Sequence, residues 1–261
     1  MIEFGYFSIS IHINPNKFLS IMEKTKDFQK TQVFNVIILD RSGSMSSIRK
    51  AAVDGFNETL AGIKKAQDRF ADTQDHYVSL VTFCSCETRY VFDKTPVEQA
   101  HSLKLEDFEP CCCTPLYDAM GFALTAMRKH VKTLEDAVVV VTIITDGYEN
   151  ASHEYTGSSI KALVQELRGE GWTFTYMGAN QDSIEVAMTL SIRNARNFEF
   201  SESGTRHTMQ KDSSTRLNFF SRLANMKVAE ADGEMPTMDA SERQARYTAM
   251  ADEAFDEEEG K

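Results

Sequence analysis

Nowhere in its 261 residues does this chain carry an apolar run of the ~18 residues that a membrane helix needs. The basic start and small-residue cleavage site of a secretory signal are also missing. Positive charge is in deficit: the formal net charge is −11, which argues against direct binding of nucleic acid. Neither G-x-x-x-x-G-K-[ST] nor G-x-G-x-x-G occurs, so no phosphate-cradling loop marks a nucleotide site. There are no internal repeats. Cysteine is scarce and odd in number, with five residues at 84, 86, 111, 112 and 113. An odd count without an export signal reads as reduced thiols and a cytoplasmic location. Adjacent cysteines bond to one another only with strain. The spacings match no standard zinc pattern, so packing as small apolar residues is the main reading and a thiol–metal or redox site the minor one.

What is present supports a core. Hydrophobic residues make up 42% of the chain, enough for one α/β domain of about 200 residues with flanks. The negative charge is unevenly placed. Eleven acidic and three basic residues lie between Glu230 and Lys261, a net of −8, which leaves −3 for everything before them. Residues 230–261 therefore read as an acidic, solvated and disordered tail, with a docking segment at Tyr247 to Phe255 as the alternative. At the other end, residues 1–30 read as an extension. It contains an alternating segment from Phe7 to Ile13, and the polar run after Met22 looks like an ordinary start, which makes Met22 a candidate native N-terminus.

The stretch from Val33 to Ser46, Val-Phe-Asn-Val-Ile-Ile-Leu-Asp-Arg-Ser-Gly-Ser-Met-Ser, begins as a buried strand and ends in three oxygen-bearing side chains at alternate positions. Asp40, Ser42 and Ser44 leave the strand end together, with Gly43 supplying a turn. Hard divalent cations prefer such ligands. This D-x-S-x-S run resembles the first part of the metal-ion-dependent adhesion site of von Willebrand factor A domains. Two further pieces follow in the family's order: Thr114 in Cys-Thr-Pro-Leu-Tyr-Asp-Ala, and Asp146 in Val-Thr-Ile-Ile-Thr-Asp-Gly. The resemblance covers about Gln32 to Phe200 and is nearest to intracellular bacterial or phage-type stand-alone A domains.

Taken in order, the chain predicts a helix at Ser46 to Gln67, strands at Tyr77 to Cys84 and Glu87 to Phe92, and a short helix at Pro96 to Leu103. A helix follows Thr114-Pro115, and Ala137 to Thr145 is a central parallel strand. Next come a helix at Thr156 to Gly169, a strand at Trp172 to Met177, a helix at Asp182 to Leu190 and a strand at Asn197 to Phe200. This alternation gives a doubly wound α/β fold with a mostly parallel sheet. The resemblance adds six strands in the order 3-2-1-4-5-6, with one antiparallel edge strand. Residues 31–200 form that domain, and 201–229 a closing helical segment.

The resemblance implies that Ser42, Ser44 and Thr114 touch a cation directly, and that Asp40 and Asp146 do so directly or through water. It also implies Mg²⁺, with Mn²⁺ or Ca²⁺ as alternatives, and a protein partner that supplies an Asp or Glu. Family roles include adhesion and adaptor work with ATPase complexes. Each residue also has a plain explanation: Ser42, Ser44 or Thr114 as a helix cap, and Asp146-Gly147 as a turn. Arg41 is either a solvent-facing charge or a salt-bridge partner. Asn150, Gln181 and Asp182 are candidate rim contacts. Competing functions are a phosphohydrolase using Asp40, weakened because Ser42 replaces the second acid of Asp-x-Asp, and a metal-free scaffold.

Overall fold

Ten residues, Thr31–Asp40, form strand β1, and every position but Gln32 is fully buried. A strand buried on both faces must be flanked by strands and covered by helices. In the computed structural model, which describes residues 29–178, 183–197 and 202–259, β1 has both. Parallel partners lie on its two sides, β2 (Gln74–Cys84) and β4 (Ala137–Thr145). β3 (Glu87–Pro96) runs antiparallel to β2 at one edge; β5 (Thr173–Gly178) and β6 (Asn194–Asn197) extend the other. The order is β3-β2-β1-β4-β5-β6, as the family resemblance implies.

Alternation along β1 divides the core between two layers. Phe34, Val36 and Ile38 face helices α2 (Leu116–Val131), α3 (Gly157–Gly169) and α4 (Ser183–Thr189). Ile37 and Leu39 face α1 (Arg49–Phe70), which follows a 3-10 turn at Gly43–Ile48. Phe56, Leu60 and Ile63 form the buried stripe of α1. On the same side lie α5 (Glu202–Ala231) and α6 (Ala240–Glu259), whose Phe219, Phe220, Tyr247 and Phe255 pack on Val33, Val138 and Val140. α5 approaches α1 closely because Gly62 faces it: a Cβ there would stand 2.3 Å from Ser213 Oγ. No described helix is long and apolar enough to cross a membrane.

Three sequence expectations need correction. The helix expected over Pro96 to Leu103 is absent; a turn at 97–99 leads to extended chain and a 3-10 turn at Leu105–Asp107. Val97, Ala100 and Leu103 are buried as a helical stripe would be. Side chains of α1 take over the backbone partners instead: Asn57 brackets Leu103, and Lys64 Nζ donates to the Ala100 carbonyl at 2.7 Å. β6 begins three residues earlier than expected, at Asn194–Asn197, and residues 198–200 of the expected strand lie outside the described residues.

The third correction concerns the acidic tail, since α6 is helical and docked. Tyr247, Ala251, Ala254 and Phe255 recur at helical spacing and are buried. Their burial is anchored by Asp136, just before β4, which accepts from Tyr247 Oη at 2.7 Å and Thr31 Oγ1 at 2.9 Å. Lys227 Nζ of α5 pairs with the same carboxylate at 2.5 Å. High charge hid four apolar positions that suffice to hold a helix. The segment at 7–13, Met22, Gln181 and Asp182 lie outside the described residues.

Candidate metal centre

β1 and β4 run side by side and end together, with Leu39 opposite Ile144. Their next residues, Asp40 and Thr145, therefore meet, and Thr145 Oγ1 donates to Asp40 Oδ2 at 2.7 Å. The chain after β1 turns back at once, and Ser42 N–H donates to Asp40 Oδ1 at 2.7 Å. Asp40 is fully buried, and among the described residues no lysine or arginine pairs with it. Burial pushes its carboxyl up to about 6, against the pull of the Thr145 and Ser42 hydrogen bonds, and the Asp146 charge adds to the rise.

The remaining candidates gather around Asp40. Ser42 Oγ lies 3.1 Å from Ser44 Oγ, and Ser44 Oγ donates to Asp146 Oδ1 at 2.6 Å. Burial raises Asp146 as well, with the Ser44 hydroxyl opposing. Gly147 locates the fifth residue: a Cβ built on it would stand 3.2 Å from Ser44 Oγ, 3.3 Å from Thr114 Oγ1 and 3.8 Å from Asp40 Oδ2. The structure thus brings Asp40, Ser42, Ser44, Thr114 and Asp146 to one point beyond the strand ends, where open α/β sheets form crevices.

Capping does not account for the hydroxyls. Ser42 precedes the 3-10 turn, but its side chain makes no cap hydrogen bond. Pro115, expected at the first helical position, is the cap residue of α2 and supplies no side-chain cap either. The free N–H groups at the start of α2 are satisfied from the loop after β4. Tyr117 N–H donates to Glu149 Oε2 at 2.9 Å, and Asp118 N–H donates to Ser152 Oγ at 3.1 Å. Glu149 is itself held, accepting from the Ala151 and Ser152 N–H groups at 2.8 and 2.7 Å. Asp118 returns the contact, accepting from the N–H groups of His153, Glu154 and Tyr155, which hold its carboxyl below the usual range. Thr114 is fixed through its backbone: its N–H donates to Asn150 Oδ1 at 2.9 Å, and Asn150 N–H donates to its carbonyl at 3.1 Å. Asn150, read as a rim contact, is thus a strut behind Thr114.

Arg41 takes the salt-bridge role. It pairs with Glu87 at 3.4 Å and also donates to the Glu109 carbonyl, facing the β2–β3 hairpin. Thr145, Gly147, Glu149, Ser152 and Asp118 were missed by motif reading. The run Asp146 to Ser152 is dense in backbone-capping residue types, but the backbone they cap belongs to another segment. The donor set fits a hard divalent cation: three hydroxyls and two partly desolvated carboxylates, all oxygen.

No family model matches the sequence, and no curated protein does. Among solved structures, the chain is similar to a von Willebrand factor type A protein from Catenulispora acidiphila, at 15% identity and TM-score 0.50, over 72% of this chain and 43% of that one. It is also similar to the pilus adhesin SpaC of Lactobacillus rhamnosus GG, at 13% identity and TM-score 0.53, over 74% and 31%. The PilB minor pilin of Streptococcus sanguinis gives 11% identity and TM-score 0.51, over 77% and 63%. The chain thus spans less than two thirds of the length of each. At these identities the likeness is one of fold, and the fold is von Willebrand factor A-like.

Proposed function

We propose that the chain is a metal-ion-dependent protein-binding module. Ser42, Ser44 and Thr114 would hold a divalent cation, Mg²⁺ first and Mn²⁺ or Ca²⁺ as alternatives, with Asp40 and Asp146 contributing directly or through water. One observation carries the reading: three hydroxyls converge with two carboxylates, while Ser42 makes no cap bond and the start of α2 is capped from the loop after β4. When bound, the cation supplies an electrophilic position that an incoming carboxylate can fill. The protein's own contribution is positioning. Thr145 and the Ser42 N–H hold both Asp40 oxygens, Asn150 holds the Thr114 backbone, and Ser44 links to Asp146.

The partner is a protein offering an Asp or Glu, in an intracellular adaptor or assembly role of the kind that serves ATPase complexes. A cleft of about 580 Å³ between the hairpin tip and His153, lined by Asp118, Phe122 and Asn150, would receive the residues flanking that acid. The phosphohydrolase alternative is less well supported, since both Asp40 oxygens already accept hydrogen bonds from the protein and no second acid stands at position 42. The test is a pull-down with and without Mg²⁺, using an Asp40→Ala/Ser42→Ala control, beside a phosphatase screen. Magnesium-dependent capture lost in the control is expected. Phosphatase turnover abolished by Asp40→Ala would favour the enzyme instead.

A further inference from the structure

The cysteines do not disperse as small apolar fillers. Four of the five meet at the β2–β3 hairpin. Cys84 ends β2, Cys86 lies in the turn that follows, and Cys111 and Cys112 arrive on the loop before α2. The sulfurs of Cys84, Cys86 and Cys111 all lie within 4.8 Å of one another. Cys84 Sγ is 3.4 Å from Cys111 Sγ, and Cys86 Sγ is 2.9 Å from Cys112 Sγ. A disulfide needs about 2.05 Å, so none of these contacts is a bond. Tetrahedral zinc–thiolate ligation at about 2.3 Å per bond puts neighbouring sulfurs about 3.8 Å apart, within the span observed here.

The surroundings suit a cluster of thiolates. The backbone N–H groups of Cys86 and Glu87 donate to Cys84 Sγ, and Arg41 Nη2 lies 3.5 Å from it. Donors and a guanidinium of this kind offset the negative charge of a metal–thiolate centre. The loop is also shaped toward it. Cys112 sits at φ 61, a left-handed conformation that is unfavourable for a non-glycine residue. That loop is tied on both sides: Gly43 N–H donates to the Cys112 carbonyl at 2.9 Å, Cys111 N–H to the Arg41 carbonyl at 2.9 Å, and Ser85 N–H to the Cys113 carbonyl at 3.0 Å.

We infer that Cys84, Cys86, Cys111 and Cys112 form a zinc-binding thiolate site that clips the 111–114 loop to the hairpin. Sequence spacing hides it because two ligands flank a turn residue in the hairpin and two are adjacent in a distant loop. Binding is ligand exchange without redox: four S–H protons leave and four Zn–S bonds form. The consequence is local. Thr114 lies two residues beyond Cys112, so the clip would set the position of one oxygen in the neighbouring cluster. The thiol site itself does not depend on the Mg²⁺ reading.

The test uses the full chain, purified under reducing conditions without chelator. Zinc is measured by elemental analysis, and Co²⁺ is substituted for it. About one zinc per chain is expected, together with the thiolate-to-cobalt charge-transfer band, which oxygen ligands cannot give. Cys84→Ser/Cys111→Ser should lose the band and at least tenfold in zinc retention, with circular dichroism confirming that the variant folds. Cys113→Ser should keep both. The inference is overturned if folded, reduced wild type shows no charge-transfer band, or if the band survives in the double variant. Should the double variant not fold, Cys112→Ser, whose side chain is exposed, gives the same reading on its own.

Discussion

Ser44 Oγ donates to Asp146 Oδ1 at 2.6 Å although 102 residues separate them. The pair closes the ring of oxygens, because it joins the loop after β1 to the loop after β4. Adjacency of two parallel strands makes it possible. A doubly wound sheet places the loops of its two central strands side by side whatever their distance in sequence.

Gly147 lies against this ring. Gly147→Ala would place a methyl group against Ser44, Thr114 and Asp40 at 3.2 to 3.8 Å. The expected result is cation affinity at least fivefold lower, with metal-free stability changed by no more than ~1 kcal/mol. Calorimetric titration beside urea unfolding separates the two effects.

Glu149 and Asn150 support the ring from behind. Glu149→Gln replaces an acceptor-only carboxylate that receives two loop N–H groups and the Tyr117 N–H. It should cost about 1–3 kcal/mol of stability, read by urea unfolding. Asn150→Ala should cost less stability, about 1 kcal/mol, yet weaken the cation site, because the Thr114 N–H loses its side-chain acceptor while the backbone bond between the two residues remains. Equal behaviour of the two variants in both assays would refute this division of labour.

His76 sets an acid limit. It is buried in β2, with Nε2 3.1 Å from Gln74 Oε1 and its ring edge-on to Phe220, and burial pushes its pKa down to about 3. The unfolded chain, with an ordinary value near ~6.5, binds the proton more tightly between these limits. The stabilising effect of neutral His76 is therefore complete above pH ~6.5 and is lost as pH falls toward 3, by up to about 1.4 kcal/mol per pH unit. Unfolding measured at pH 7 and pH 5 should show a steeper loss for wild type than for His76→Gln.

Asp136 anchors the C-terminal helices at the far end of β4. Lys227→Met leaves this buried carboxylate without its cation and should cost about 3–5 kcal/mol. Tyr247→Phe removes one hydrogen bond and should cost about 1–1.5 kcal/mol. Neither should change cation affinity, since β4 spans about 30 Å between Asp136 and Asp146 by the rise of a parallel strand.

The sheet could be read from the sequence because apolar runs such as Val138 to Ile144 have few alternatives to a buried parallel strand. The oxygen donors could be read because Asp40, Ser42, Ser44 and Asp146 follow strand ends and Thr114 precedes a helix, in a recognisable order. What sequence did not reveal depends on distant partners. Val97, Ala100 and Leu103 have a helical stripe, but α1 supplies their backbone bonds, so no helix forms. Tyr247 to Phe255 sits in an acidic run whose charge outweighs four apolar residues in any composition measure, though not in packing. The cysteine cluster depends on a hairpin and a loop meeting, which no spacing rule encodes.

The central claim is tested most directly by titrating Mg²⁺ and Mn²⁺ into wild type and Thr114→Ala by isothermal calorimetry, with folding checked in parallel. One ion per wild-type chain is expected, with affinity at least tenfold lower in the variant and metal-free unfolding shifted by less than ~1 kcal/mol. Well-folded wild type that takes up neither ion, or a variant that binds as tightly as wild type, would contradict it.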